Sequence, residues 1–282
     1  MKSTIPLEYL LRFIEEDSPF GDITSGAVIP HRICRAVIRT EQDGLVAGIA
    51  EVSALFEYFG VTATQTSADG KCVMAGEIVL SLEGEARAIL LVERTALNII
   101  GRMSGIATQT RRLTDIVSAV SPRCRIAATR KTAPGLRALD KKAVVLGGGD
   151  PHRMSLSDGI LIKDNHLAIV PLAKAIQAAK AASAYRKIEV EVETPGDALE
   201  AANAGADILL LDNMKPSRVR EALALLKRAG VRNRVTIELS GGIDEKSLPA
   251  YAALDVDLIS MGALTHTVKN FSVTLEMQPG QE

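Results

Sequence analysis

The first third of the chain combines one short helical pattern with several short strand patterns. Between Leu7 and Ile14, apolar residues recur at the three- and four-residue spacing of an amphipathic helix. From about residue 30 to residue 85, apolar and polar positions form short runs that glycines interrupt, and one helix is predicted over 49–59. This part of the chain is therefore predicted to form a small, mainly β, open sheet.

A long helical pattern follows, over roughly 86–120, where apolar residues form a stripe at spacings of three, four or seven. Gly101 and Gly105 interrupt it, and each costs a helix about 1 kcal/mol relative to alanine. Either another backbone packs closely against these glycines, or the helix breaks there. The pattern leaves both interpretations open.

From Arg125 onward the pattern alternates between strands and helices. Seven short apolar runs are candidate strands: RIAAT, AVVLG, GILIK, KIEVEV, DILLLD, RVTIELS and DLISMG. Their alternation with helices favours an incomplete β/α barrel of about seven strands. A doubly wound sheet is the alternative, but its G-x-G-x-x-G fingerprint is absent from these turns.

The predicted domain organisation follows from these patterns. An N-terminal α/β domain is predicted over residues 1–110, and the barrel domain over 111–269. The run FSVTLEM near the C-terminus alternates with a period of two, so residues 270–282 are predicted to return to the N-terminal sheet.

Composition narrows the choice of partners and compartment. The formal net charge is −1 over 282 residues, and aromatic residues make up 3% with no tryptophan. Neither nucleic acid nor an anionic membrane is expected as a partner, because both usually require a basic excess. Three widely spaced cysteines and the lack of a membrane-length apolar run of about 20 residues favour a cytoplasmic protein without a zinc site.

Cations follow several of the predicted barrel strands: Arg130, Lys131, Arg153 and Lys163. The carboxyl ends of barrel strands carry the catalytic residues in this architecture, so these side chains are expected to converge. Arginine offers a planar fork for carboxylate or phosphate, and lysine offers a compact charge. An anionic ligand is therefore predicted. Arg137, Lys141 and Lys142 fall on a helix-like stretch and are expected to face solvent.

Two acids are predicted at the same end of the barrel. Glu191 is the central acid of EVEVE, so its side chain points to the same side as those of Glu189 and Glu193. With Asp212 it is predicted to hold Mg²⁺, directly or through water, since such sites commonly use one or two carboxylates. The alternative is that either acid only orients a lysine.

Two glycine-containing loops follow the last two predicted strands. They are Ser240-Gly241-Gly242 and Gly262-Ala263. Glycine lets backbone N–H groups approach an anion closely, and the last two loops of β/α barrels often form a phosphate site. His266 lies just beyond and is predicted either to contact the same phosphate or to serve packing.

Several motifs together identify a family. The ordered segments TRKTxPGLR, GGGxxHRMxLxDxxLIKDNH, EVEVE, LLLDN, SGG and GALTH, with ERTALNIIGRMSGIAT upstream, resemble quinolinate phosphoribosyltransferase. The resemblance covers about Gly21 to Leu275. GGGDPHR departs from the Asn-His-Arg that is common in bacterial members, and Ser155 replaces a usual glycine, so the chain looks more like archaeal relatives.

The resemblance implies a type II phosphoribosyltransferase, with an N-terminal open-faced α/β sandwich domain and an incomplete β/α barrel. It also implies a homodimer or hexamer with a shared active site, and a reaction between quinolinate and phosphoribosyl pyrophosphate with Mg²⁺. The implied quinolinate-binding residues are Arg130, His152, Arg153 and, from a second subunit, Arg94. Lys131 and Lys163 are implied to contact a substrate carboxylate, the ribose or the pyrophosphate. The implied catalytic residues are Lys131, Lys163, Glu191 and Asp212. The implied residues for phosphoribosyl pyrophosphate also include Ser240, Gly241, Gly242, Gly262, Ala263 and His266.

Other functions remain possible on the sequence alone. A nicotinate-specific phosphoribosyltransferase would use the same barrel. A non-catalytic relative, similar to a protein linked to molybdenum transport, would also share the fold, but its KDNH motif is altered, whereas Lys163 and its neighbours are intact here. A third alternative treats Lys163 as a Schiff-base lysine of an aldolase-like barrel.

Overall fold

The computed structural model of the protein describes residues 3–278. These residues divide into two compact units. The first unit contains 3–111, 133–148 and 267–278, and the second contains 112–132 and 149–266. Residues 133–148, which the sequence analysis assigned to the barrel segment, therefore pack with the N-terminal unit.

The chain forms eleven helices and twelve strands over the described residues. The helices are α1 (Leu7–Asp17), α2 (Ile23–Val28), α3 (Ile49–Tyr58), α4 (Ala86–Val120), α5 (Arg137–Leu146), α6 (Asp164–Leu167), α7 (Leu172–Ala182), α8 (Pro195–Ala204), α9 (Pro216–Arg228), α10 (Leu248–Ala252) and α11 (Ala263–His266). The strands are β1 (Ile33–Thr40), β2 (Gly44–Leu45), β3 (Thr62–Gln65), β4 (Cys72–Val73), β5 (Ile78–Glu85), β6 (Arg125–Ala127), β7 (Ile160–Ile162), β8 (Ile188–Val192), β9 (Ile208–Asp212), β10 (Thr236–Ser240), β11 (Leu258–Ser260) and β12 (Val273–Gln278).

The first unit is built on a four-stranded antiparallel sheet in the order β12-β1-β5-β3. Strand β12 pairs with β1 so that Leu275 lies opposite Ile38. The predicted return of the C-terminal segment to the N-terminal sheet is thus found for the residues described, and positions 279–282 lie outside them. Helix α3 packs against strands β3 and β5.

Helix α4 is continuous through both of its glycines, so close packing is the correct one of the two interpretations that the sequence left open. A Cβ atom at Gly105 would lie 2.2 Å from the carbonyl oxygen of Lys269, and one at Gly101 would lie 3.1 Å from that of Phe271. The amide of Phe271 also donates a hydrogen bond of 2.8 Å to the Gly101 carbonyl. The glycines let this segment lie directly on the helix backbone.

The second unit is an incomplete β/α barrel. Six parallel strands occur in the order β6-β11-β10-β9-β8-β7, and each strand is hydrogen-bonded to its neighbours in this order. Beyond β6, Asp150 forms an isolated parallel bridge with Ala127, which extends that edge by one short segment. Thr194 caps α8 by accepting a hydrogen bond of 3.1 Å from the Asp197 amide, and Pro195 occupies the first helical position.

One predicted strand is wrong, because AVVLG forms the end of helix α5. Four apolar residues in a row fit a buried strand and a helix equally well, and the burial of Leu139, Ala143 and Val144 follows helical spacing. The expectation that Lys141 and Lys142 face solvent is also wrong. Lys141 is 2% exposed, and Lys142 pairs with the buried Glu51 at 2.7 Å.

No helix among residues 3–278 combines the length and the apolar composition that crossing a bilayer requires.

Candidate active site

A cavity of about 500 Å³ lies at the carboxyl ends of the barrel strands, wholly within the second unit. It is lined by Thr129, Arg130, Lys131, His152, Arg153, Leu161, Lys163, Glu191, Leu210, Asp212, Asn213, Glu238, Ser240, Gly241, Gly242 and Ser260. The four cations that follow separate strands in the sequence therefore share one cavity with the two predicted metal-binding acids and the first glycine loop.

Four predicted site residues lie outside this lining. Gly262 follows β11, and a Cβ atom there would lie 3.0 Å from both Lys131 Cδ and His266 Cδ2, so this glycine makes room for both side chains. Ala263 and His266 belong to the next helix, α11. Arg94 lies in the first unit on α4, where it is exposed, and its proposed role across subunits stays a prediction.

Two arginines provide the strongest indication that the cavity binds an anion. Burial lowers the pKa of the Arg153 guanidinium most, and the charge of the nearby Arg130 lowers it further. The Nε atom of Arg130 is buried and has no hydrogen-bond partner among the described residues. A buried donor without a partner is costly, and a bound carboxylate would satisfy it.

Lys131 is held by its backbone at the edge of the cavity. Its amide donates to Thr129 Oγ1 at 3.0 Å, and its carbonyl accepts a hydrogen bond of 2.9 Å from Thr265 Oγ1. The second contact ties the loop after β6 to helix α11. The side chain of Lys131 therefore extends from a backbone that is held by hydrogen bonds at both its amide and its carbonyl.

Lys163 and Glu191 form an ion pair inside the cavity. The backbone of Lys163 is restrained by its own motif, because its amide donates to His166 Nδ1 at 2.9 Å. The intact KDNH sequence thus has a local structural reason, because His166 fixes the backbone of Lys163, the residue directly before α6.

Asp212 lies beside this ion pair and is held by Asn213. The side-chain amide of Asn213 donates to Asp212 Oδ2 at 2.6 Å, while its backbone amide donates to the Ser240 carbonyl at 2.9 Å. Burial and then the charge of Glu191 raise the pKa of the Asp212 carboxyl. A carboxyl whose ionisation is opposed by a neighbouring carboxylate in the same cavity is a favourable place for a divalent cation.

The sequence analysis missed two acids that contact His152. His152 Nε2 lies 3.3 Å from Glu238 Oε2 and 3.7 Å from Glu189 Oε2. Burial alone would lower the pKa of the His152 imidazole, but the hydrogen bonds and charges of these two carboxylates raise it, while the Arg153 amide that donates to Nδ1 favours the neutral ring. A charged residue in the middle of an apolar strand, as in TIELS, was the available signal.

Comparison with known proteins agrees with this geometry. The family model described as quinolinate phosphoribosyl transferase, C-terminal domain, matches residues 106–276, and the N-terminal domain of the same family matches 22–104. A probable nicotinate-nucleotide pyrophosphorylase [carboxylating] from Methanothermobacter thermautotrophicus is 43% identical over 276 residues, which is 96% of this chain and 99% of the relative. One from Archaeoglobus fulgidus is 42% identical over 260 residues, covering 92% and 99%.

A solved structure is similar over nearly the whole chain. The nicotinate-nucleotide pyrophosphorylase from Francisella tularensis superposes with a TM-score of 0.89 at 33% identity and covers 98% of each chain. The likeness therefore extends to both units, and the archaeal relatives agree with the archaeal-like GGGDPHR segment.

Proposed function

Because the chain belongs to the quinolinate phosphoribosyltransferase family, we propose that it transfers the phosphoribosyl group of phosphoribosyl pyrophosphate to quinolinate, with loss of CO₂. The products are nicotinate mononucleotide, CO₂ and pyrophosphate, a step of de novo NAD biosynthesis that makes the protein a pentosyltransferase. The observation that carries the proposal is the cavity in which Arg130 and Arg153 lie side by side with an unpartnered Arg130 Nε.

Quinolinate carries two adjacent carboxylates, and the two arginines suit them. Each guanidinium can bind one carboxylate through two parallel hydrogen bonds, which also fixes the plane of the pyridine ring. His152 lies in the same lining, and Arg94 of a second subunit would complete the site. A monoacid such as nicotinate would leave part of this positive charge without a partner.

Phosphoribosyl pyrophosphate would occupy the rest of the cavity. Lys131 and Lys163, which line this cavity, would contact the pyrophosphate or the ribose. The backbone of the two glycine loops would bind the 5′-phosphate, since glycine leaves N–H groups accessible to an anion. The residues assigned to this phosphate are Ser240, Gly241, Gly242, Gly262, Ala263 and His266.

The acids of the cavity fit Mg²⁺. Glu191 and Asp212 supply hard carboxylate oxygens, and the raised pKa of the Asp212 carboxyl, caused by burial and by the charge of Glu191, supports a cation at this place. When bound, Mg²⁺ would stabilise the charge that develops on the departing pyrophosphate. The same carboxylates would accept hydrogen bonds from the ribose hydroxyls.

The chain's own residues need only orient and stabilise. As the bond from ribose C1 to the pyrophosphate oxygen breaks, the ring gains oxocarbenium character, and the lysines offset the charge of the leaving group. The quinolinate nitrogen, held in line by the arginines, forms the new bond to C1. The positive nitrogen of the resulting pyridinium stabilises the carbanion left on the adjacent ring carbon when CO₂ departs, and a proton then binds to that carbon. No covalent nucleophile is required.

The proposed assembly is a homodimer or hexamer in which Arg94 reaches the cavity of its neighbour. Mixing an Arg94→Ala chain with an Arg130→Ala chain tests this, because hybrids would contain one intact site only if the site is shared.

The proposed compartment is the cytoplasm, in agreement with the free thiols of Cys34, Cys72 and Cys124.

The decisive assay offers quinolinate or nicotinate with phosphoribosyl pyrophosphate and Mg²⁺ to the purified protein. We expect nicotinate mononucleotide and CO₂ from quinolinate, and far slower turnover of nicotinate. Arg130→Ala should lower kcat/KM for quinolinate by about 100-fold, since a bond to a charged group contributes about 1.5–3 kcal/mol. The exposed Arg228→Ala on α9 serves as the charge-matched control. Equal turnover of nicotinate, or no product, would overturn the proposal.

A further inference from the structure

Both ring nitrogens of His152 are engaged by the protein, so the ring is fixed in one orientation. Its Nδ1 accepts a hydrogen bond of 2.8 Å from the backbone amide of Arg153, and its Nε2 faces Glu238 Oε2 at 3.3 Å. Glu189 approaches the same nitrogen from a second strand. The imidazole therefore connects the backbone of Arg153 to side chains of β8 and β10.

The backbone at His152 also requires restraint. Its φ is +54°, in the left-handed region that non-glycine residues seldom occupy. A conformation of this kind persists only where the surroundings determine it. Asp150 supplies part of that restraint, because its Oδ1 accepts a hydrogen bond of 2.8 Å from the His152 amide while its backbone is bonded to β6.

The acids that hold the ring are deeply buried. The Glu238 side chain is 2% exposed and the Glu189 side chain is 6% exposed, and Oε1 of each has no partner among the described residues. Burying two carboxylates costs several kcal/mol unless nearby groups compensate. A second cavity of about 360 Å³ at the opposite ends of the strands shares His152, Arg153 and Glu238 with the candidate active site. The cluster thus forms the floor between two cavities.

We propose that Glu238 is a positioning residue of the quinolinate site. Its hydrogen bond fixes the His152 ring, and the ring in turn holds the Arg153 backbone from which the guanidinium reaches the substrate. The inference rests on the proposed function, since it assigns Arg153 to the carboxylates of quinolinate. It predicts that replacing Glu238 raises KM for quinolinate and leaves KM for phosphoribosyl pyrophosphate unchanged. The reason is that Asn213 and the glycine loop, which would bind the phosphoribosyl end, do not depend on Glu238.

A metal ion held by His152, Glu189 and Glu238 is a weaker interpretation of the same geometry. A histidine that binds a metal through Nε2 carries its proton on Nδ1 and donates it to an acceptor. Here Nδ1 faces the N–H of Arg153, which is itself a donor. The arrangement suits a ring that donates from Nε2 to the carboxylates.

The test replaces Glu238 in two ways and measures KM for each substrate separately. Glu238→Leu removes the acceptor, whereas Glu238→Gln retains an oxygen that can accept from His152 Nε2. We expect Leu to raise KM for quinolinate about tenfold, the loss of one buried hydrogen bond, and to leave KM for phosphoribosyl pyrophosphate within about twofold. Gln should recover most of the affinity. The exposed Glu221, replaced in the same two ways, is the matched control.

A double-variant cycle shows whether the effect passes through His152. If it does, Glu238→Leu adds nothing to the quinolinate KM of His152→Ala, whereas independent effects multiply. A Leu variant with normal quinolinate KM, a proportional loss for both substrates, or a multiplicative double variant would each overturn the inference. Removing one member of a buried charged cluster is often strongly destabilising, so Glu238→Met, which also lacks the acceptor and is close to glutamate in volume, takes the place of Glu238→Leu if the latter does not fold. Failure of the wild type to turn over quinolinate would instead refute the proposed function.

Discussion

Gly241 lies so close to Asn213 that it cannot accept a side chain without moving its neighbour. Its φ is +89°, and a Cβ atom there would lie 2.2 Å from Asn213 Oδ1 and 3.0 Å from the Asn213 backbone nitrogen. Asn213 in turn donates to Asp212 Oδ2. In the variant Gly241→Ala, the methyl group would therefore displace Asn213 and release Asp212 from its only side-chain donor recorded among the described residues.

The expected magnitude has two parts. An alanine in the left-handed region costs about 1–2 kcal/mol in the folded state. Displacing the Asn213 amide loses a hydrogen bond to a carboxylate, of which about 1 kcal/mol remains after allowing for solvent at these partly exposed groups. The free energy of unfolding should fall by about 2–3 kcal/mol, and Tm by several degrees. In catalysis we expect kcat/KM for phosphoribosyl pyrophosphate to fall about tenfold.

Gly230→Ala separates the two parts. Gly230 also has a left-handed φ, +70°, but no other atom lies within 4 Å of its Cβ position, and it lies at the end of α9 away from the cavity. It should therefore lose only the backbone part of the stability and keep normal kinetics. The two variants are compared by thermal unfolding and by steady-state kinetics with phosphoribosyl pyrophosphate varied at saturating quinolinate.

The reasoning is refuted if Gly241→Ala shows the same kinetics as Gly230→Ala. That result would mean that Asn213 moves without disturbing Asp212, so the close approach would have no functional consequence. Equal losses of stability in the two variants would refute the steric part, because only Gly241 meets another residue.

Two further outcomes follow from buried groups. Asp140→Ala should lower the free energy of unfolding by about 3 kcal/mol, because Asp140 is fully buried and accepts paired hydrogen bonds of 2.7 and 2.9 Å from Arg102. Urea titration measures this loss, and a loss below about 1 kcal/mol would contradict the prediction. Alkylation at pH 8 followed by mass spectrometry should modify the exposed Cys72 well before Cys124, whose burial and the nearby Asp257 raise its thiol pKa to about 11; equal labelling of the native protein would contradict it.

The carboxyl-end rim could be predicted because each functional side chain follows a strand directly. Arg130, Lys163 and Asp212 come after separate apolar runs, and parallel strands bring their carboxyl ends to one edge. The local pattern was sufficient there, because both the residue type and its position directly after a strand can be recognised from a few adjacent residues.

Helix α5 shows where local pattern fails. AVVLG fits a buried strand as well as a helix, and the choice depends on contacts that are distant in sequence. Asp140 on α5 pairs with Arg102 on α4, and Lys142 pairs with Glu51 and Asp69. Nothing within residues 137–146 indicates these partners, so the assignment required the folded structure.

Glu238 was not predicted as a site residue because the depth of a side chain within the barrel cannot be recognised from the sequence. Period-two alternation correctly places Glu189 and Glu191 on the same side of β8, but alternation does not give depth, because barrel strands are staggered. Glu191 and Glu238 both pair in register with Leu210, yet Glu191 contacts Lys163 in the cavity while Glu238 is buried against His152. Residue type suggests chemistry at the rim, where side chains meet substrate. In the proposed positioning role, Glu238 would act on the substrate only through the His152 ring, and that relation cannot be recognised in the sequence.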